Sequence, residues 1–436
     1  MSVLLTAAIP AAAATRVERV MSPGGIEAWL IESHEVPLIT VRFSFDGGAL
    51  QEPDGKSGVA QMAAYLFNEG AGSFATDEFT RRRNRIGAHL VADTGFLHFA
   101  VHFSTPASHK DEAFELLRLA IGAPRFDDEP IARARREYTA DIKATQKDPG
   151  SVASQALRRR LYGKHRMADW VIGTIEDLQN IGRDDIETYR RRVFARANLK
   201  IAVVGDIDAR TLAPLLDQVF AGVPAKAELR PASEMAGTAG GCQAIEMDVP
   251  QTAVLFGALT PRLNQRQNLA NSILTAILSE PLTGRLFMEV REKRGLVYSI
   301  NAGYSHYTNF GVFSGSFGAA AENVPAAMAV TERELRRMVD EGPTEQEVAD
   351  AKNALVGQIL LGLDTSAKLA GLVLALQIDA LPITYLDDVG AEIATITVQD
   401  VWNVARLLIR PDHLAVVMVG KLGQAGACEK ARAVRN

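Results

Sequence analysis

Cysteine is scarce in this chain: Cys242 and Cys428 are the two it has among 436 residues. They leave the redox compartment open, because they could pair in an oxidising space or both stay free, and sequence gives no distance between them. Long apolar runs are missing too. No stretch approaches the roughly 18 residues of a spanning helix, so no transmembrane segment is expected. Charge of one sign is not in excess. The formal net charge of −5 gives no electrostatic reason to expect nucleic acid or an acidic membrane surface as a partner. Two basic runs, Arg81, Arg82, Arg83 and Arg85, then Arg158, Arg159 and Arg160, read as solvated helix faces. There is no Gly-x-Ser-x-Gly elbow and no phosphate-cradling Gly-Lys-Ser/Thr loop.

Histidine is sparse, and its placement argues against a metal site. Of eight, His98 and His102 lie four apart in a segment that reads as a strand. Four strand residues span roughly 13 Å, too far for one ion. His34, His89, His109, His165, His306 and His413 are scattered and make no constellation.

What is present is an ordinary globular composition, 47% hydrophobic and 23% charged, in a chain longer than one core usually serves. Residues 1–15 combine a short apolar run with small residues, as at the end of a secretory signal, though without a basic leading region. This points to export to the periplasm, with a frayed Ala-rich tail in the cytoplasm as the alternative. Residues 26–31 and 38–45 read as strands, 56–69 and 76–86 as helices, and 88–103 as a hairpin. Helices follow at 109–121, 128–145, 150–162 and 183–193, then a buried strand at 199–204.

The second half starts over. Val36-Pro37-Leu38 through Phe43 finds its partner in Val249-Pro250-Gln251 through Phe256, an offset of 213. Ile131, Ala134, Arg135 and Ile142 match Val348, Ala351, Lys352 and Ile359 at 217. Asp185, Leu199, Val204 and Gly205 match Asp400, Leu414, Val419 and Gly420 at 215. The three offsets agree within four residues, so the chain reads as two copies of one α/β unit. The expected division is a domain at 16–220, an Ala, Gly, Pro and Glu-rich linker at 221–241, and a homologous domain at 242–436.

Two stretches carry the functional reading. Gly58-Val59-Ala60-Gln61-Met62-Ala63-Ala64-Tyr65 has the frame of a helix bearing an inverted zinc motif, His-x-x-Glu-His. There two histidines share a helical face and the glutamate polarises zinc-bound water. Here the chemical positions are Gln61, Ala64 and Tyr65. Ala64 has no carboxylate to take a proton, and Tyr65 is a poor ligand near neutral pH, with a reference pKa of about 10. In the other half, Arg291 lies on the last turn of a helix ending near Gly295. Tyr298 lies early in a strand beginning at Leu296, so the two side chains could converge on one point in front of the sheet; on these residues alone a charged helix end with an incidental Tyr is the favoured alternative.

With the repeat, the altered motif and the Arg-to-Tyr stretch, the chain resembles the pitrilysin/insulinase family of inverzincin metallopeptidases from about Arg16 to Gly420. More closely, it is similar to the non-catalytic subunits of bacterial heterodimeric members. The resemblance implies an α+β fold of two homologous domains, each an antiparallel-rich sheet with helices on one face, forming a half-clam. It also implies a third ligand position near Asp141, an expected glutamate. A ligand set of His, His, Glu would then appear as Gln61, Tyr65 and Asp141, with the base position at Ala64. This implies no zinc in this chain and zinc in a homologous partner subunit. Arg291 and Tyr298 keep the family's seven-residue spacing and would contact a peptide substrate at the partner's site, as donors to a carbonyl or developing oxyanion. Two alternatives stand beside this: a structural scaffold without proteolytic role, and an independent hydrolase using another site.

Overall fold

The strands and helices follow one another twice in the same order. The computed structural model describes residues 16–231, 240–361 and 363–421. The tail at 1–15, part of the linker stretch at 232–239, and Cys428 lie outside the described residues. The first half runs β1 (Glu18–Met21), β2 (Glu27–Glu32), β3 (Leu38–Asp46), α1 (Val59–Leu66), β4 (Gly70–Ala71), β5 (Phe74–Ala75), α2 (Thr76–Arg85), β6 (His89–Thr94) and β7 (His98–Pro106). It continues with α3 (Lys110–Gly122), α4 (Asp128–Thr145), α5 (Pro149–Tyr162), α6 (Ile175–Asn180), α7 (Arg183–Val193), β8 (Leu199–Gly205) and α8 (Ala209–Phe220). The second half runs β9 (Gly241–Glu246), β10 (Thr252–Pro261), α9 (Gln265–Ser279), β11 (Ile300–His306), β12 (Phe310–Ala319), α10 (Val324–Asp340) and α11 (Glu345–Leu361). It closes with α12 (Ser366–Ile378), α13 (Tyr385–Thr395), α14 (Val398–Leu408) and β13 (Ala415–Gly420).

The first sheet has the order β1-β2-β8-β3-β7-β6 and the second β11-β12-β10-β13-β9. Reversed, the second order matches the first strand for strand, apart from the added β1. In both sheets one neighbouring pair is parallel, β2 with β8 and β9 with β13; the others are antiparallel. The two-residue alternation of β3 decides its faces. Val41, Phe43 and Phe45 turn to the helices of their own half and join one core with residues of α1, α3, α4, α7 and α8. Val254, Phe256 and Ala258 of β10 do the same in the second half, against α9, α10, α11 and α14.

The reverse face of each sheet is closed from the other half. Trp29, Ile31, Ala202 and Val204 pack against Leu369, Ala370, Val373 and Leu374 of α12. In exchange, Val312, Ala415, Val417 and Val419 pack against Ala153, Leu157 and Leu161 of α5. A side-chain amide seals the first of these contacts. Gln377 Nε2 donates to the Ile201 carbonyl at 2.7 Å, and its Oε1 accepts from the Ile201 amide at 3.3 Å. The β2–β8 pairing begins at Ala202, so Gln377 stands in for a strand at the end of the ladder.

One element differs from the sequence reading. The strand expected from Leu296 begins at Ile300. Residues Phe287–Glu292 form a π-helical turn, Gly295 reverses the chain at φ 61°, and the Leu296 amide bonds back to the Val290 carbonyl at 3.1 Å. That bond holds Leu296 to the turn and keeps it out of the ladder with β12. Tyr298 therefore sits in the connection before the strand.

Candidate functional site

The frame around α1 depends on a glycine and a buried acid. Gly58 has φ 99°, and a Cβ there would lie 2.4 Å from the Ile172 carbonyl oxygen, so only glycine fits. The amides of Gly58 and Ala60 donate to Glu52 Oε1 at 2.9 and 3.1 Å, satisfying donors that open a helix unpaired. The other Glu52 oxygen accepts from Arg166 at 2.6 Å. Burial pushes the Glu52 carboxyl up to about 7, against the opposing pull of Arg166 and the two amides. Sequence reading missed Glu52 because its partners are a backbone turn and a side chain far along the chain.

Each altered motif position has a partner of its own. Gln61 Nε2 donates to the Tyr138 hydroxyl at 3.3 Å, and that hydroxyl donates to the Gln61 carbonyl at 3.2 Å. Arg133 Nε donates to the Tyr65 hydroxyl at 3.2 Å. The same guanidinium pairs with Glu69, and with Glu129 at 3.0 Å. Tyr65 and Tyr138 meet edge to face, ring centroids 5.7 Å apart. Burial raises the Tyr65 hydroxyl pKa, with Arg133 opposing, so it is no closer to a phenolate ligand. Ala64 is buried. Asp141 is exposed on α4, one turn beyond Tyr138. The α4 side chains that reach α1 include Arg133 and Tyr138, and Glu137 interacts with the Tyr65 hydroxyl.

This donor set does not fit zinc. An amide and a neutral phenol replace imidazoles, and a guanidinium stands where a cation would be repelled. Among the described residues no group of three or more His, Cys, Asp or Glu is placed to hold a metal ion. His98 and His102 lie on β7. His98 Nδ1 is 3.2 Å from an Asp46 oxygen, and His102 Nε2 is 3.3 Å from Arg42 Nη1.

The structure brings Arg291 and Tyr298 together. The Arg291 guanidinium carbon lies 4.6 Å from the Phe287 ring centroid and 5.3 Å from that of Tyr298. Tyr298 is 76% exposed. No acid pairs with Arg291 among the described residues, although Glu289 and Glu292 are close in sequence. Glu289 is occupied by Lys293 at 2.5 Å and Arg294 at 2.7 Å. Below the turn, buried Arg285 pairs with Glu347 at 2.6 Å. Burial would raise the Glu347 pKa, but Arg285 and the Thr344 amide hold it at about 2. Glu289 was legible as the i, i+4 partner of Lys293, whereas the Arg285–Glu347 pair spans two elements and left no local signal. The result is a half-buried charged donor beside an exposed hydroxyl donor.

Residues 28–175 match the model of the insulinase family (peptidase family M16), and residues 180–355 match that of the peptidase M16 inactive domain. The non-peptidase homolog YmxG of Helicobacter pylori is 24% identical over 330 residues, 75% of this chain and 76% of that protein. An uncharacterized zinc protease of Streptomyces coelicolor is 23% identical over 409 residues, 92% of this chain and 89% of that one. Among solved structures, a peptidase M16 inactive domain from Pseudomonas fluorescens superposes with a TM-score of 0.88 at 24% identity, covering 93% of this chain and 98% of its own. The periplasmic protease PqqL of Escherichia coli superposes at 0.81 with 14% identity, over 94% of this chain and 46% of PqqL. Models of one family match in both halves, and the chain belongs to the insulinase family, peptidase family M16.

Proposed function

We propose that this chain is the non-catalytic subunit of a zinc-dependent peptidase. It pairs with a homologous subunit that carries an intact His-x-x-Glu-His motif and the zinc, and the two enclose a chamber in which peptides are degraded or processed. The observation that carries this reading is an asymmetry. Gln61, Ala64 and Tyr65 are committed to internal packing and hydrogen bonds, while a half-buried Arg291 and an exposed Tyr298 are joined and have no acid partner among the described residues. A wall has no use for such a pair. The family name "inactive domain" and the relative described as a non-peptidase homolog support the non-catalytic part. The periplasmic relative supports a periplasmic setting.

Arg291 and Tyr298 donate hydrogen bonds to a peptide carbonyl at the partner's site. Both bonds strengthen as negative charge develops on that oxygen, so they lower the barrier more than they tighten binding. Losing one such donor typically costs about 10² to 10³ in kcat. Arg291→Ala and Tyr298→Phe should each lower kcat of the reconstituted pair on that scale. The Tm should not move for Tyr298→Phe, because Tyr298 is exposed, and should fall only slightly for Arg291→Ala, which loses its contact with the Phe287 ring. Wild-type turnover by both variants, at normal yield of the pair, would leave a scaffold role in place of this one.

A further inference from the structure

Among the described residues the second sheet is one strand short of the first. β9 repeats β2 at an offset of 214 residues, and each has a parallel partner on its inner side. On its outer side β2 carries β1, antiparallel, whereas β9 is the last strand described in its sheet. The backbone of β9 is laid out for a neighbour there. The Gly241 and Met247 amides donate to the Leu414 and Gly420 carbonyls on the β13 side. By the two-residue alternation, Cys242, Ala244 and Glu246 turn their amides and carbonyls to the outer side. An outermost strand is a template for pairing, and folded proteins cover it.

The end of the described chain lies at this strand. Gly420, the last residue of β13, pairs with Glu246 of β9. The Lys421 carbonyl accepts from Thr252 Oγ1 at 3.0 Å, and its Nζ lies 2.9 Å from an oxygen of Asp248, just past β9. Seven residues further on stands Cys428. Passing from β13 to the outer side of β9 takes two strand spacings, about 10 Å, and returning from Glu246 to Cys242 takes four strand residues, about 13 Å. Seven extended residues span roughly 23–25 Å. A segment that runs straight back along β9 therefore brings Cys428 level with Cys242. The described residues hold one cysteine, Cys242, and it is not a free thiol. Cys428 is the one other cysteine of the chain.

We propose that residues 422–428 supply the sixth strand of the second sheet, antiparallel to β9 as β1 is to β2, locked by a disulfide between Cys428 and Cys242. Opposite residues that exchange hydrogen bonds in an antiparallel pair keep their Cα atoms about 5.5 Å apart, inside the roughly 4.4–6.8 Å that a disulfide spans. The Cys242 side chain already packs against the second core, so the bond lies on the helix side of the sheet. The segment before Cys428 reads Gly-Gln-Ala-Gly-Ala, a weak strand former, and the covalent tie makes up for that. Forming the bond oxidises two thiols. Their two electrons and two protons pass to the disulfide of an exchange partner, which leaves as two thiols. An exported chain meets such an oxidant and a cytosolic one rarely does, so export completes the sheet. None of this depends on the peptidase reading.

The test uses the full chain, equilibrated with oxidised glutathione. Tryptic digestion and mass spectrometry should show the peptide 422–430 joined to the one that holds Cys242, and dithiothreitol should separate them. Hydrogen exchange then reads the strand. The amides of Ala244 and Glu246 should exchange at least about tenfold faster after reduction, or in Cys428→Ser, while those of Gln243 and Ile245, which face β13, keep their rate. Cysteines that end as separate glutathione adducts, or a Cys242–Cys242 bond between two copies, would overturn the disulfide. Exchange at Ala244 and Glu246 that Cys428→Ser leaves unchanged would overturn the strand. If that exchange were slow throughout, the edge would belong to residues 232–235, which stand where the repeat offset places the counterpart of β1.

Discussion

Gln61 and Tyr65 are held by neighbours that would themselves obstruct a metal. Restoring the motif by Gln61→His, Ala64→Glu and Tyr65→His, with Asp141→Glu, leaves Arg133 pointing at position 65 and Tyr138 beside position 61. Zinc affinity measured by calorimetry should therefore stay weak in that variant. It should rise by at least about tenfold when Arg133→Ala is added, because a unit charge a few ångströms from the ion is removed. No gain from that addition would place the restored ligands out of reach of one another. The unaltered chain should carry no stoichiometric zinc in elemental analysis. Glu52 gives a second residue-scale expectation. Its folded pKa lies near 7, above the ordinary 4.5. Below pH 4.5 the acid is protonated in both states; between there and 7 the unfolded chain gives up its proton while the folded one keeps it. Stability should fall as pH rises through that window, by about 3 kcal/mol relative to Glu52→Gln. Urea melts at pH 4.5 and 7 on both proteins measure this, and parallel pH profiles would mean that Arg166 keeps the carboxylate ionised.

Among the elements, α12 shows most plainly what the sequence could and could not reveal. The Val-Pro-led strands marked β3 and β10 as copies of each other, because alternation and offset are local properties. Which sheet a helix covers is not local. Nothing in Leu369, Ala370 or Val373 says that they pack on Trp29 and Val204 across the chain. The same limit applies to α4. Counting places the third ligand near Asp141, yet the residue that meets Gln61 depends on where the helix starts and how it is rotated. Tyr138 occupies that position. Gln377→Ala tests the exchange directly. It leaves the Ile201 amide and carbonyl buried without partners, each costing roughly 1–3 kcal/mol. A loss of about 2–4 kcal/mol is expected, and since α12 and β8 belong to different halves it should lower the transition of both together. Separate melting of the two halves in calorimetry would show that the contact matters less than its geometry suggests.

For the whole molecule, pairing is the open quantity. Mixed with a relative that retains the zinc motif, the chain should elute as a heterodimer in size exclusion, with an interface above roughly 1,000 Å². Separate elution of the two at micromolar concentration would favour the scaffold or the independent hydrolase. The crossing of α5 and α12 bears on how such a pair could work. Two units that each lend a helix to the other's sheet are clasped, and swinging them apart would strip Trp29, Ile31, Val417 and Val419 of their cover. Among the described residues, opening the halves would uncover both of these apolar contacts. In the proposed assembly a peptide would then enter through the seam between two chains, not between the two halves of this one.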